Sequence, residues 1–201
     1  MKSEFFRQID HLRHFIPDAH KIDPNDKQTQ QMLTVLKKII GSCTTAQSAT
    51  MHILEQEKWD FLAVYYVAID EFSHYFMKYA SPQQTHISPH LHDIFSTVMT
   101  AAYCYHDRML GQLLAVAGEE TTIMLVSDHG FRTGHLRLQH IPKEAAGPSW
   151  EHSTFGVFVM KGPNIRRDTV IHGASLIDVT PTLLAHLGEP VGLDMGACLF
   201  L

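Results

Sequence analysis

The sequence predicts an α/β fold with a largely parallel sheet and flanking helices. Three observations carry that expectation. Phe61 to Ile69, FLAVYYVAI, is short, almost wholly apolar and rich in β-branched and aromatic residues, which suits a strand covered on both faces. Thr121 to Ser127, TTIMLVS, is a second such run. Between them, Asp93 to Ala117 places Ile94, Val98, Ala101, Ala102, Tyr105, Met109, Leu113 and Val116 at helical intervals and stops at Gly118. Strand, long helix and strand form a βαβ unit, for which a right-handed crossover and parallel strands are expected.

The two apolar runs end alike. Asp70 closes the first, and His74 follows four residues later; Asp128-His129-Gly130 closes the second. If the chain turns helical at Asp70, residues 70 and 74 share a helix face, and a carboxylate and an imidazole so placed can bind one divalent cation. Ligands of open α/β sheets bind at the carboxyl ends of the strands. Two acid–histidine pairs at strand ends therefore mark a candidate metal centre on that edge.

The other elements follow in chain order. Ser3 to Ile16 has helical spacing, with Ser3 as its cap and Pro17 as its stop. Ile22 to Asn25, IDPN, is a turn. Asp26 to Ile40 is a helix ended by Gly41, and Thr45 to Glu57 is a further short helix. Tyr75 to His92 is a polar loop with two prolines, in which His86, His90 and His92 are read as solvated residues. Phe131 to Ser149 is a second polar loop, placed to face a substrate. Thr154 to Met160 is a third strand, closed by Lys161-Gly162-Pro163. Ser175 to Leu187 is a helix with Ser175 at the cap, Ile177, Leu184 and Leu187 inward, and regular geometry from about Thr180, with Pro181 in the first turn. Asp178 is expected to cap or orient that helix. No repeat and no linker divides the chain, so residues 1–201 are read as a single domain.

Composition narrows the class. A 201-residue chain with 45% hydrophobic and 18% charged residues can bury a core. A net charge of −5 leaves no basic footprint for nucleic acid. Fifteen histidines favour metal or acid–base chemistry. Cys43, Cys104 and Cys198 are too far apart for a zinc ribbon and are expected to be small buried hydrophobes. The charged N-terminal stretch lacks the apolar core of a signal peptide, and no run approaches a membrane span. A reducing, cytoplasmic setting is the expectation.

At Ser127-Asp128-His129-Gly130-Phe131, with IDEFSH before it and WEHSTFGVFVMKGPNI after it, the chain resembles the type I phosphodiesterase/nucleotide pyrophosphatase family of the alkaline phosphatase superfamily. Asp178 to Met195 resembles that family's closing segment, so the resemblance runs from about Trp59 to Met195. It implies an alkaline-phosphatase-like sheet with two zinc ions, manganese being an alternative, and a phosphodiester or nucleotide-like substrate. By position, Asp70, His74 and His152 would hold one ion and Asp128 and His129 would ligate the other. His135 is a candidate for the substrate pocket. The family also uses one more aspartate and a threonine or serine nucleophile from an N-terminal strand–helix segment, which no stretch here matches. The chain is therefore expected to be the C-terminal part of such an enzyme, with an uncovered sheet edge and a separate N-terminal segment as partner. The alternatives are a non-catalytic or metal-binding remnant, and a sulfatase or mutase relative.

Overall fold

The computed structural model describes residues 12–196. They fall into two compact units. One comprises the described part of Met1–Gly118 together with Phe131–Thr154; the other comprises Glu119–Gly130 with the described part of Phe155–Leu201.

The first unit is helical. Of the helix expected over Ser3 to Ile16, residues 12–15 are described and helical, while its cap lies outside the described residues, as does Cys198. Helix α1, Lys27–Gln56, starts at Asp26, whose carboxylate accepts from the Thr29 amide at 3.1 Å and the Thr29 hydroxyl at 2.6 Å. A donor left without a partner by the first helical turn is thereby satisfied. The two helices expected on either side of Gly41 are one helix of 30 residues. A glycine in a helix interior costs about 1 kcal/mol. The buried stripe runs straight through it, from Leu33, Leu36 and Ile40 to Cys43, Gln47, Thr50 and Leu54. That continuous burial outweighs one glycine.

Helix α2, Ala68–Phe76, carries Phe72 and Phe76, both fully buried. Phe72 stacks on Phe15 at 5.3 Å between ring centroids. Helix α3, Pro89–Phe95, and helix α4, Val98–Ala117, add Leu91, Phe95, Val98, Ala102 and Met109 to the same core. The long helix expected from Asp93 is thus divided near Ser96, and it ends at Gly118 in a positive-φ conformation (φ 77°). The expected polar loop of Tyr75 to His92 is only partly a loop, because Tyr79, Ile87 and Leu91 are buried and α3 begins within it. Cys43 is buried, and burial pushes its thiol up to about 11 with help from the Glu71 carboxylate. Cys104 is exposed, contrary to expectation, because its position on α4 faces away from the core.

The strand expected over Phe61 to Ile69 is not formed. Ala68 and Ile69 belong to α2, and Asp70 sits in that helix's first turn rather than at a strand end. Phe61, Ala63 and Tyr65 are exposed while Leu62, Val64 and Tyr66 are half-buried. That alternation has the period of two of an extended chain. A strand exists only through its ladder, and none joins residues 61–67 to a partner among the described residues.

The second unit is built on a ribbon. Strand β1, Ile123–Ser127, pairs antiparallel with β4, Val157–Lys161, from Ile123 opposite Lys161 to Ser127 opposite Val157. Two short strands, β2 (Gly130–Phe131) and β3 (His152–Ser153), make the other described sheet. The chain is therefore mixed α/β, but the largely parallel sheet and the βαβ crossover are absent among the described residues. The apolar run of β1 finds its ladder in β4, the strand that returns beside it. Gly156 allows that return: a Cβ there would collide with the Ser127 carbonyl oxygen. Helix α5, Val179–Leu187, follows a short turn in which Ser175 and Asp178 cap each other. Its buried residues are Pro181 and Thr182; Ile177 and Leu187, expected inward, are exposed. Among the described residues no helix is long and apolar enough to cross a membrane.

Candidate metal centre

The first turn of α2 presents Asp70, and one turn later the same face presents His74. His152 arrives from β3. The residues just before it are fixed by Arg132, whose amide donates to the Glu151 carbonyl and whose guanidinium Nε donates to the Trp150 carbonyl, both at 2.8 Å. The three side chains converge. Asp70 Oδ1 lies 3.4 Å from His74 Nε2 and 3.4 Å from His152 Nε2, and the two Nε2 atoms are 3.1 Å apart.

That triangle has the dimensions of a coordination site. Donors 2.0–2.2 Å from one ion at tetrahedral angles stand about 3.3–3.5 Å from each other. Three edges of 3.1, 3.4 and 3.4 Å fit three corners of such a tetrahedron. One carboxylate oxygen and two imidazole nitrogens form a donor set suited to zinc, and three protein ligands leave the fourth position for water or substrate. The side chains of Asp70, His74 and His152 are 34, 22 and 23% exposed, while the converging oxygen, Asp70 Oδ1, is itself buried.

Two further residues shape it. His74 Nδ1 stands 2.9 Å from Glu151 Oε2. A carboxylate can only accept, so Nδ1 donates to Glu151, and Nε2 is the nitrogen that faces Asp70 and His152 and would offer its lone pair to an ion. The Phe131 ring lies 4.8 Å from the His74 ring and 5.2 Å from the His152 ring, edge-on to each, and packs on the hydrophobic core behind them. It limits the rotation of both imidazoles.

Among the described residues, Asp70, His74 and His152 are the one group of three or more His, Cys, Asp or Glu side chains whose ligand atoms converge. Asp128 and His129 belong to the second unit, directly after β1. His129 Nδ1 donates to the Gly130 carbonyl at 3.1 Å, and its Nε2 is 3.8 Å from Asp128 Oδ1. Asp128 is exposed. His135 is exposed on the short turn Gly134–Leu136. Asp178 is occupied as a cap, accepting from the Ser175 amide at 2.8 Å.

Sequence reasoning missed Glu151 and Arg137. Glu151 adjoins a candidate ligand histidine, which is the signal that was present. Arg137 stands in a polar loop, and no pattern distinguishes it there. Its buried guanidinium donates to the carbonyls of Met77, Ala80, Pro82 and Gly134, tying the turn after α2 to the loop that leads to His152.

No curated protein and no solved structure matches the chain. A family model described as type I phosphodiesterase / nucleotide pyrophosphatase matches residues 6–160. The matched span includes all five candidate ligands and the N-terminal helices, which the sequence reading had placed before the aligned region, and it leaves Asp178 to Met195 outside. With most of its length matched, the chain belongs to the type I phosphodiesterase/nucleotide pyrophosphatase family, a family of hydrolytic phosphoesterases.

Proposed function

We propose that this chain carries the zinc centre of a phosphodiesterase or nucleotide-pyrophosphatase-type phosphoester hydrolase. The observation that supports the reading is the Asp70–His74–His152 triangle, with its ion-sized edges and its Glu151 brace. In this reading Asp70, His74 and His152 hold one ion and Asp128 and His129 contribute to a second site, with both units parts of one alkaline-phosphatase-like domain. Bound there, zinc would supply Lewis acidity toward the phosphoryl oxygens. With an ion bound, Asp70 would neutralise part of its charge, Glu151 would hold His74 through Nδ1, and Phe131 would keep both imidazoles aimed at the same point. The nucleophilic hydroxyl and one further aspartate come from a separate segment.

The test is His152→Ala in the complete enzyme. Hydrolysis of a chromogenic phosphodiester should be lost while helicity is retained; near-normal turnover would overturn the assignment. A second reading is a non-catalytic, metal-binding remnant of the family. It is favoured by the fact that the one convergent group among the described residues contains three of the five candidate ligands. Zinc-dependent turnover by this chain alone would exclude it.

A further inference from the structure

Where α1 packs on α4, three soft donors meet outside the candidate metal centre. Cys43 stands on α1; His106 and Met109 stand three residues apart on one face of α4. Cys43 Sγ lies 3.6 Å from His106 Nε2 and 3.7 Å from Met109 Sδ. His106 Nδ1 is 2.8 Å from the Ala102 carbonyl oxygen, one turn back. A carbonyl can only accept, so Nδ1 donates to it, and Nε2 is the nitrogen that faces Cys43 and would offer its lone pair to an ion. The rings of Tyr66 and Phe72 stand edge-on to the imidazole, at 6.3 and 6.2 Å between centroids, and limit its rotation. A small buried hydrophobe would account for the burial of Cys43 but not for its partners: one thiol proton faces two acceptors and serves one at a time.

The dimensions are those of a coordination site. A sulfur about 2.3 Å and an imidazole nitrogen about 2.0–2.1 Å from one ion, at the tetrahedral angle, stand about 3.5–3.6 Å apart, and two such sulfurs about 3.8 Å. The two edges at Cys43, 3.6 and 3.7 Å, match both. Thiolate and thioether sulfur together suit a soft ion such as copper(I). Charge points the same way. Cys43 and Met109 are only 3 and 5% exposed. A monovalent ion on one thiolate makes a neutral unit there, whereas a divalent ion would leave a net charge buried. Burial pushes the His106 pKa down, against the Ala102 hydrogen bond, which favours the neutral imidazole that metals take.

We propose that Cys43, His106 and Met109 form a buried copper(I) site. Binding releases one proton: the Cys43 S–H bond breaks, its electron pair goes to the ion as a sulfur–copper bond, and the proton leaves to water, with no change of oxidation state. The site shares no residue with Asp70, His74 and His152, and it stands or falls independently of the hydrolase reading.

The experiment is an anaerobic titration of the full chain with copper(I), in competition with the chromogenic chelator bicinchoninate. One ion per chain is expected to be withdrawn from the chelator. Cys43→Ala should weaken binding by roughly 100-fold or more, and Met109→Leu by roughly ten-fold or more, through loss of a soft donor. Met109→Leu conserves volume and leaves the core filled, so it decides the matter should Cys43→Ala lose helicity in circular dichroism. Cys104→Ser, Cys198→Ser and His152→Ala should bind like the parent, which excludes the other thiols and the candidate zinc centre as the source. Copper(I) left with the chelator, or held equally well by folded Cys43→Ala or by Met109→Leu, would overturn the site. So would its loss in Cys104→Ser, Cys198→Ser or His152→Ala.

Discussion

The two acid–histidine pairs begin from the same pattern, an apolar run followed by Asp and His, and end in different surroundings. Asp70 and His74 ride on α2, whose opposite face carries Phe72 and Phe76 into the core. Asp128 and His129 follow a two-stranded ribbon whose Leu125, Val126, Val157 and Val159 are all exposed. Every member of the buried hydrophobic cluster lies in the first unit. A motif supplies ligands, but a scaffold fixes where they point. The first pair has a core-packed helix beneath it, a carboxylate behind His74 and a third candidate ligand, His152, brought by β3. The ribbon has few buried neighbours, and two strands alone are marginal in water.

The contrast can be sharpened by substitution. The largest difference should come from the cores beneath the pairs. Phe72→Ala is expected to destabilise the first unit by about 3–5 kcal/mol in chemical denaturation, whereas Leu125→Ala, at a half-exposed position, should cost under about 1 kcal/mol. Equal losses would mean that the ribbon is anchored as firmly as the helix. A smaller effect is expected at the brace. Glu151→Gln keeps the shape but removes the charge that orients His74, and should weaken zinc binding roughly 10- to 100-fold without altering helicity. Unchanged affinity would show that the packing of Phe131 orients His74 by itself.

The smallest effect concerns the start of α1. The Thr29 hydroxyl, then His90, then the Thr29 amide hold the Asp26 carboxyl at about 2. A folded-state pKa below the unfolded value, about 3.9, makes a contribution that is present above that value and lost as pH falls through the folded one. Thermal stability should therefore drop between pH 4 and 2, and Asp26→Asn should flatten that limb while lowering stability near neutrality. An unchanged acid limb in the variant would assign the drop to other carboxylates.

Much of this was legible in sequence where the deciding forces are local. The spacing of Asp70 and His74 survived even though the strand before them did not, because a four-residue interval is a property of the helix that follows. The stop at Gly118 and the cap formed by Ser175 and Asp178 were legible for the same reason. Pairing was not. An apolar run such as Phe61 to Val67 announces that it will be extended, but not which strand will accept its hydrogen bonds, and β1 found an antiparallel neighbour from residues 157–161. Gly41 misled because a continuous buried stripe overrides one unfavourable residue. Glu151 and Arg137 depend on contacts some 60 to 77 positions away in the chain, which no local pattern encodes.

The most direct test of the central claim is a zinc titration of this chain by calorimetry against a competing chelator, with His152→Ala alongside. One tight ion per chain, lost in the variant while its circular dichroism is unchanged, is the result the Asp70–His74–His152 triangle predicts. Absence of tight binding, or an equally tight ion in His152→Ala, would contradict it.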